Sequence, residues 1–301
     1  MITVVVPTNG LRRRLAPQLG DVRFEVWAPG WAESFPGPAD LLVLPYLIPA
    51  AGLRALAGLP VGVVQSQTLG YDGVAEHLPA GLVYCNAVGV HEGSTAELAL
   101  ALILGMLRGV PDAIRDADRG AWEHRRHPGL AGRRVLVLGA GGVGREVVRR
   151  LEPFDVDLEV VARSARPGVH GPADLPGLLA AAEIVIVAVP LSAESRGLVD
   201  AGFLAAMPDG ALLVNVSRGP VVDTDALVAE LRSGRLRAAL DVTDPEPLPS
   251  GHPLWTLPGV LITPHLGGDT DAMDARVDRI VREQVRRLAS GEPPLDVVVG
   301  G

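Results

Sequence analysis

A glycine-rich turn constrains this chain more than any other stretch of its sequence. The mostly apolar run Arg134–Leu138 is followed by Gly139, Gly141 and Gly144, which have the spacing G-x-G-x-x-G. A pattern of polar and apolar residues begins directly after them. The segment therefore predicts a buried strand, a tight turn and the beginning of a helix.

Each of these glycines has a physical reason to be glycine in a dinucleotide site. The first lets the chain turn sharply, the second lets the backbone approach a pyrophosphate, and the third lets the helix pack closely on the strand. The N–H groups at the positive end of the helix dipole would hold the phosphates. The candidate residues are Gly139, Gly141, Gly142, Val143 and Gly144. Since the chain has 36 glycines, a glycine-rich strand end that binds no ligand is the open alternative.

The overall composition limits the partners that the chain can have. With 301 residues, 48% of them hydrophobic, it can form about two domains of ordinary size. No apolar run is long enough to cross a bilayer, and the net charge of −8 argues against nucleic acid or a membrane as a partner. We expect no secretory signal, because the N-terminal residues lack a charged region followed by an apolar stretch and a cleavage site. Cys85 is the only cysteine, which excludes an internal disulfide and favours a cytoplasmic location. Its apolar surroundings favour a buried thiol over a nucleophile.

Short apolar runs alternate with helical patterns through most of the chain, as they do in α/β proteins. The first series of predicted strands comprises 2–6, 22–27, 41–44, 61–65 and 82–84. The second comprises 134–138, 158–162, 184–189, 211–216, 238–242 and 260–263. Nearly continuous apolar strands separated by helices are typical of a parallel sheet covered on both faces. The six strands of the second series fit a doubly wound dinucleotide-binding domain.

The segments outside these strands predict how the two domains are joined. Residues 96–107 are almost wholly apolar, which predicts a buried helix between the domains, with Ser94 as a capping residue. Residues 112–132 are polar and rich in Arg, and we expect Trp122 to be their apolar anchor.

The end of the chain is predicted to return to the first domain. Residues 270–290 form an amphipathic segment and an extended tail follows them. The predicted domains are 1–95 with 270–301, which would bind the substrate, and 96–269, which would bind the dinucleotide.

Three segments that follow strands of the second series carry the candidate chemistry. Ligands of doubly wound sheets bind beyond the carboxyl ends of the strands, which is where Arg218, Glu246 and His265 are predicted to lie. A guanidinium can hold a carboxylate and polarise an adjacent carbonyl, and an imidazolium beside a carboxylate can donate a proton. A nicotinamide would supply the hydride. Taken singly, the three could be a surface charge, a turn cap and a structural histidine; their joint position favours catalysis.

This combination of motifs resembles the D-isomer-specific 2-hydroxyacid dehydrogenases over nearly the whole chain. The motifs are 139–144, 215–220, 241–247 with His252-Pro253-Leu254-Trp255, and 263–268, together with 67–74 and 86–97. The resemblance implies a Rossmann cofactor domain and a smaller flavodoxin-like substrate domain. It also implies an NAD(P)-dependent reduction of a small 2-oxo acid, with glyoxylate or hydroxypyruvate favoured.

The resemblance assigns a role to each site residue. Arg218 would bind the substrate, Glu246 would be the partner of the histidine, and His265 would be the acid/base. Backbone N–H groups near Leu69 and Gly70 would grip the substrate carboxylate. The further cofactor contacts would be Asp241 at the nicotinamide carboxamide, Pro190 at the adenine, and Val189, His265 and Gly267.

The same resemblance leaves other functions open. Glu246 stands where formate dehydrogenases of this superfamily carry Gln, so that branch is disfavoured. Leu69 and Tyr71 are larger than the residues of many members, which leaves the substrate size open. Some relatives are nucleotide-sensing co-regulators that bind partner proteins, and a fold without a reaction is a third alternative. We expect a homodimer and no metal.

The end of the second strand predicts the choice of cofactor. NAD sites normally carry Asp or Glu there, about 20 residues past the glycines, to bind the ribose hydroxyls. Here the strand is followed by Arg163, Ser164 and Arg166, and Glu159 lies too early in it. Arginines would attract the 2′-phosphate that an acid would repel. The sequence therefore predicts a preference for NADPH, with NAD possible, against the alternative of a basic surface loop.

Overall fold

The computed structural model describes residues 1–30 and 34–300, and the chain folds into two compact units, Met1–His91 with Asp271–Gly301 and Glu92–Thr270. The strands are β1 (Ile2–Val6), β2 (Val22–Val26), β3 (Ala39–Val43), β4 (Val61–Gln65), β5 (Val83–Cys85), β6 (Arg134–Leu138), β7 (Asp157–Val161), β8 (Ile184–Val187), β9 (Leu212–Asn215), β10 (Arg237–Leu240), β11 (Val260–Ile262) and β12 (Val297–Val299). The helices are α1 (Asn9–Leu15), α2 (Val74–His77), α3 (Glu92–Leu107), α4 (Val110–Asp118), α5 (Gly142–Leu151), α6 (Leu175–Ala181), α7 (Ala201–Ala206), α8 (Thr224–Arg232) and α9 (Ala272–Ala289). Among the described residues, no helix has the length and apolar character needed to cross a membrane.

The first unit contains a sheet with the strand order β2-β1-β3-β4-β5-β12. The strands β1 to β5 are parallel, and β12 pairs antiparallel with β5. The order 2-1-3-4-5 is that of flavodoxin-like sheets, which confirms the fold predicted for this part of the chain. On one face, Val277 and Val281 of α9 pack with Val4 in a single buried cluster.

The second unit contains a wholly parallel sheet with the order β7-β6-β8-β9-β10-β11. Apolar side chains of α3 and α5 cover one face, and those of α6, α7 and α8 cover the other. The predicted doubly wound Rossmann fold is therefore confirmed. The strand order reverses at β6, between β7 and β8, so the topological switch point lies at the turn that follows β6.

Three strands of this second sheet end level with one another. The Cα atom of Leu240, the last residue of β10, pairs with Asn215 at the end of β9 and with Ile262 at the end of β11. Because the strands are parallel, the loops that follow them begin side by side at one edge of the sheet.

The helix α3 is buried as predicted, but it begins earlier than its sequence suggests. It begins at Glu92, so the prediction of Ser94 as a capping residue is wrong. Ser94 lies inside the helix and is buried, with its Oγ 2.9 Å from Oγ1 of Thr270. A serine is tolerated inside a helix when its hydroxyl finds such a partner.

The prediction that Trp122 anchors the polar segment is wrong, because its side chain is 98% exposed. The buried apolar residue of the segment is Leu130, which is 4% exposed and packs in the core of the second unit. Ion pairs order the other end, where the buried carboxylate of Asp116 accepts hydrogen bonds from Arg119 and Arg125. Hydrogen bonds between ionised groups are stronger than neutral ones, so they add to the order of this segment.

The single cysteine lies in the core of the first unit. Cys85 is fully buried at the end of β5. Burial raises the pKa of its thiol to about 11, so the thiolate is scarce at neutral pH. This agrees with the interpretation of Cys85 as a structural residue.

Candidate functional site

Two glycines of the turn after β6 are required by packing. The φ of Gly139 is 109°, and a Cβ atom there would lie 2.4 Å from the carbonyl oxygen of Ala188. A Cβ atom on Gly144 would lie 1.8 Å from the carbonyl oxygen of Gly139. Any side chain at either position would therefore push α5 or the end of β8 away from the turn.

Gly141 lies in a different environment. It is exposed, and no atom lies within 4 Å of the place that a Cβ atom would take. Gly141 is also the N-terminal capping residue of α5, so the unpartnered N–H groups of the first helical turn lie beside this open space. The positive end of a helix dipole next to open space fits an anion, and these residues therefore fit the pyrophosphate of a dinucleotide.

Gly142 and Val143 form the beginning of α5, and one of them has a second constraint. A Cβ atom on Gly142 would lie 2.6 Å from Cγ of Glu92, whose side chain is buried against the turn. Gly142 must therefore be small whether or not a cofactor binds. The sequence carried no sign of this contact, because Glu92 precedes the turn by many residues.

The basic residues after β7 approach the same turn. Nη2 of Arg166 lies 3.3 Å from the carbonyl oxygen of Ala140. Nη1 of Arg145, a residue of α5, lies at the same distance from this oxygen. Arg145 directly follows the last glycine and was not among the residues predicted for the cofactor site. A hydrogen bond from Ser192 lowers the pKa of the Glu194 carboxyl, and the charge of Arg163 contributes, so Arg163 lies near this carboxylate.

Hydrogen bonds also order the other residues predicted to bind the cofactor, those that follow β8, and the neighbouring strand β7. Val189 and Pro190 follow β8, and the hydroxyl of Ser195 donates to the carbonyl oxygen of Pro190 at 2.6 Å. Glu159 lies inside β7, where its Oε2 is 2.7 Å from Nε2 of His170. The described end of β7 thus carries no acidic side chain in the position that NAD sites use.

Arg218 lies on the loop that follows β9, and a buried amide shapes this loop. The side chain of Asn215 donates to the carbonyl oxygen of Arg218 at 3.0 Å and accepts from the hydroxyl of Ser217 at 2.8 Å. A Cβ atom on Gly219 would lie 1.9 Å from the carbonyl oxygen of Thr243, so the loops after β9 and β10 are in close contact. Sequence reasoning did not identify Asn215 as a residue that orders this loop.

Glu246 and His265, on the loops after β10 and β11, are hydrogen-bonded. Nδ1 of His265 lies 2.6 Å from Oε1 of Glu246, and both side chains are partly exposed. With Nδ1 held by the carboxylate, Nε2 is the ring atom that can give a proton to a substrate. The charge of Arg218 affects the pKa of both side chains, so its guanidinium lies near this pair. A guanidinium, a carboxylate and an imidazole are the groups that reduction of a 2-oxo acid would need.

Asp241 and Gly267 lie next to this group and are bound to one another. Asp241, the residue after β10, is 3% exposed, and its Oδ2 accepts a hydrogen bond from the N–H of Gly267 at 2.9 Å. Their predicted contacts with a cofactor stay predictions.

Leu69 and Gly70 belong to the first unit, on the loop that follows β4. The carbonyl oxygen of Leu69 accepts from Nδ2 of Asn86 at 2.8 Å, and that of Gly70 accepts from the hydroxyl of Thr68 at 3.1 Å. These bonds to the carbonyls order the loop. The predicted role of its N–H groups in substrate binding stays a prediction.

Comparison with known proteins identifies the family. The profile described as "D-isomer specific 2-hydroxyacid dehydrogenase, NAD binding domain" matches residues 100–267. The human protein named glyoxylate reductase/hydroxypyruvate reductase is 33% identical over 251 residues, which are 79% of this chain and 76% of that protein. This chain belongs to the D-isomer-specific 2-hydroxyacid dehydrogenase family.

Other members of the family extend the comparison. A D-isomer-specific 2-hydroxyacid dehydrogenase from Xanthobacter autotrophicus Py2, solved with NADPH and MES, is 32% identical with a TM-score of 0.83, covering 99% of this chain and 98% of that one. D-3-Phosphoglycerate dehydrogenase of Archaeoglobus fulgidus is 35% identical over 227 residues, which are 72% of this chain. The chain spans 43% of the length of that relative, which is a much longer protein.

In this family member the surroundings of His265 have opposite effects on the pKa of its imidazole. The hydrogen bond with Glu246 raises the pKa of the imidazole, while burial and the nearby charge of Arg218 lower it, and the net shift is upward. Burial raises the pKa of the Glu246 carboxyl, but the hydrogen bond and charge of His265 outweigh this effect and the net shift is downward. Both shifts favour the ion pair of imidazolium and carboxylate at neutral pH.

We expect Glu246→Gln to move the pH profile of 2-oxo acid reduction toward lower pH. If His265 is the acid, as the sequence predicts, reduction would need its imidazole protonated, and loss of the negative partner would lower the pKa above which that proton is lost. The measurement is kcat/KM against pH, with Glu230→Gln as a control, since Glu230 pairs with Arg235 instead. An unchanged profile in Glu246→Gln would contradict the functional pairing.

Proposed function

We propose that this chain transfers a hydride from a nicotinamide cofactor to a small 2-oxo acid, forming a D-2-hydroxy acid. The observation that carries the proposal is the hydrogen bond of 2.6 Å between His265 and Glu246, with Arg218 close enough to influence the pKa of both. Glyoxylate and hydroxypyruvate are the substrates that we favour. Relatives with those substrates in their names support this choice, as does the segment His252-Pro253-Leu254-Trp255.

Each of the candidate site residues would have a separate role in the proposed reaction. The guanidinium of Arg218 would hold the substrate carboxylate in a two-point contact and polarise the adjacent carbonyl oxygen. His265 would give its Nε2 proton to that oxygen, while Glu246 keeps the Nδ1 proton and the orientation of the ring. The bound nicotinamide supplies the hydride. N–H groups near Leu69 and Gly70 would add donors to the substrate carboxylate.

A spectrophotometric screen of 2-oxo acids tests this function. We expect turnover of glyoxylate or hydroxypyruvate by the wild type. Arg218→Lys should raise KM about tenfold or more and lower kcat as well, because an ammonium lacks the planar fork of the guanidinium. Arg232→Lys, at the exposed end of α8, is the matched control. No turnover of any 2-oxo acid would favour a co-regulator instead, and normal kinetics in Arg218→Lys would remove Arg218 from the site.

We also propose that NADPH is preferred over NADH. Support comes from the guanidinium of Arg166, which lies 3.3 Å from the Ala140 carbonyl oxygen in the glycine turn, and from Arg163 and Ser164 beside it. Positive charge and a hydroxyl at the end of the second strand suit a 2′-phosphate, whereas no acid is present there to bind ribose hydroxyls. The Xanthobacter relative was solved with NADPH.

The test compares kcat/KM for the two cofactors with one 2-oxo acid. We expect NADPH to give the higher value, and we expect Arg163→Ala to lower it about tenfold, which is the usual effect of losing a charge-assisted hydrogen bond. The value for NADH should change little, since NADH has no phosphate at this position. Arg149→Ala is the control, because Arg149 pairs with Glu146 on α5. A wild type that prefers NADH, or equal losses in Arg163→Ala, would refute the preference.

We infer further that two copies of the chain associate. Val110 and Ile114 lie one turn apart on α4 and are 46% and 58% exposed, and Trp122 follows them at 98%. Exposed apolar side chains that lie side by side, as Val110 and Ile114 do on α4, mark interfaces, and the homodimer that the resemblance implies makes a second copy the partner that we propose.

Sedimentation of the purified protein tests this association. We expect the wild type to sediment as a dimer and Trp122→Ser to shift toward the monomer, because it removes a large apolar contact. Trp255→Ser is the control, since Trp255 is 48% exposed and its ring N–H donates to Pro249 of its own chain. A monomeric wild type would overturn the inference.

A further inference from the structure

The buried carboxylate of Asp241 is the centre of a hydrogen-bond group that the proposed mechanism does not use. Oδ1 of Asp241 accepts from the hydroxyl of Thr263 at 2.6 Å and from the N–H of Leu266 at 2.8 Å. Its Oδ2 accepts from the N–H of Gly267 at 2.9 Å. Asp241 follows β10 and its donors follow β11. The carboxylate therefore connects the loop after β11 to the end of β10 by hydrogen bonds.

The backbone conformation of His265 explains why the loop after β11 needs these hydrogen bonds to Asp241. Its φ is 55°, in the left-handed region, where a residue with a side chain is strained unless its surroundings hold it. The N–H of His265 donates to the carbonyl oxygen of Asp241 at 2.8 Å, and the next two N–H groups donate to the Asp241 carboxylate. Asp241 therefore receives the N–H groups of three consecutive residues and holds the loop in this conformation.

Thr263 controls the orientation of that carboxylate. An ionised carboxylate has about four sites for accepting hydrogen bonds, and Asp241 fills three of them. Two of the three donors are backbone groups of the very loop that is being held. The hydroxyl of Thr263 is the third and its bond is the shortest, so it fixes the carboxylate from the end of β11.

We propose that Thr263 is a positioning residue for His265 and that it acts through the Asp241 carboxylate. In this arrangement Thr263 orients the carboxylate, the carboxylate holds the left-handed turn, and the turn aims the imidazole while Glu246 holds its Nδ1. The inference rests on the proposed function for its kinetic readout. It gives Asp241 a role besides the predicted contact with the nicotinamide carboxamide, for which one accepting site of the carboxylate is left.

Thr263→Val tests the proposal, because it keeps the shape of the side chain and removes only the O–H donor. We expect kcat for 2-oxo acid reduction to fall about tenfold, with KM for the 2-oxo acid within twofold of wild type. This split is expected because Arg218, which would bind the substrate carboxylate, is untouched. Thr256→Val is the control, since its exposed hydroxyl donates only to Pro253 at 3.3 Å.

A second pair of variants separates positioning from folding. Thr263→Ser and Thr263→Ala both lose the methyl group, but only Ser keeps the hydroxyl, so we expect kcat near wild type in Ser and a loss of about tenfold in Ala. Equal kcat values in Ser and Ala, or a wild-type kcat in Thr263→Val, would overturn the proposal. The Ser and Ala pair decides the question if the Val variant does not fold.

An NMR measurement keeps this test independent of turnover. The Cε1–H signal of His265 should shift in Thr263→Ala and return to its wild-type position in Thr263→Ser, since the ring orientation depends on the hydroxyl. If the wild type reduces no 2-oxo acid, the proposed function fails while this signal still decides the positioning role. An identical signal in the wild type and in the Ser and Ala variants would refute it.

Discussion

The level carboxyl ends of β9, β10 and β11 are the constraint on which the candidate site depends. Asn215, Leu240 and Ile262 are aligned by the backbone hydrogen bonds of a parallel sheet, so three loops that are far apart in the sequence begin at one edge. Each loop needs only a few residues to bring its charged or titratable group to the others. The close approach of Gly219 to the Thr243 carbonyl shows how tightly the first two loops are packed. The proximity of these groups is thus a consequence of strand register.

Within that group, opposite electrostatic effects act on one imidazole. Glu246 raises the pKa of His265, whereas burial and Arg218 lower it. Under the proposed function, a substrate carboxylate bound to Arg218 would offset the positive charge that opposes protonation. Binding of the substrate and protonation of the acid would then support each other, because each reduces the electrostatic cost of the other. The same guanidinium would be a binding group and a means of adjusting the acid.

The glycines of the turn after β6 show that one motif can combine several constraints. Gly139 and Gly144 are fixed by contacts of less than 3 Å that any side chain would make with the backbone, and Gly142 by the side chain of Glu92. Of these glycines, Gly141 alone has open space where a Cβ atom would lie. The predicted reason for a glycine at this position is therefore the close approach of the ligand that the motif would hold. The structure supplies the neighbours that impose these constraints: the Ala188 carbonyl for Gly139, the Gly139 carbonyl for Gly144, and Glu92 of α3 for Gly142.

The sequence by itself determined the two α/β folds, the glycine turn and the position of Arg218, Glu246 and His265 on loops after successive strands, because period, turn residues and chain order are local properties. It failed at two positions whose surroundings are tertiary: Ser94 lies inside α3 with its hydroxyl 2.9 Å from that of Thr270, and Trp122 is exposed while Leu130 is the buried residue of its segment. Tertiary structure alone decided which atoms join the predicted pair of His265 and Glu246, and the hydrogen bonds by which Asp241 and Thr263 hold the left-handed turn. Those contacts join different strands and loops, and their distances depend on a register that no single segment encodes.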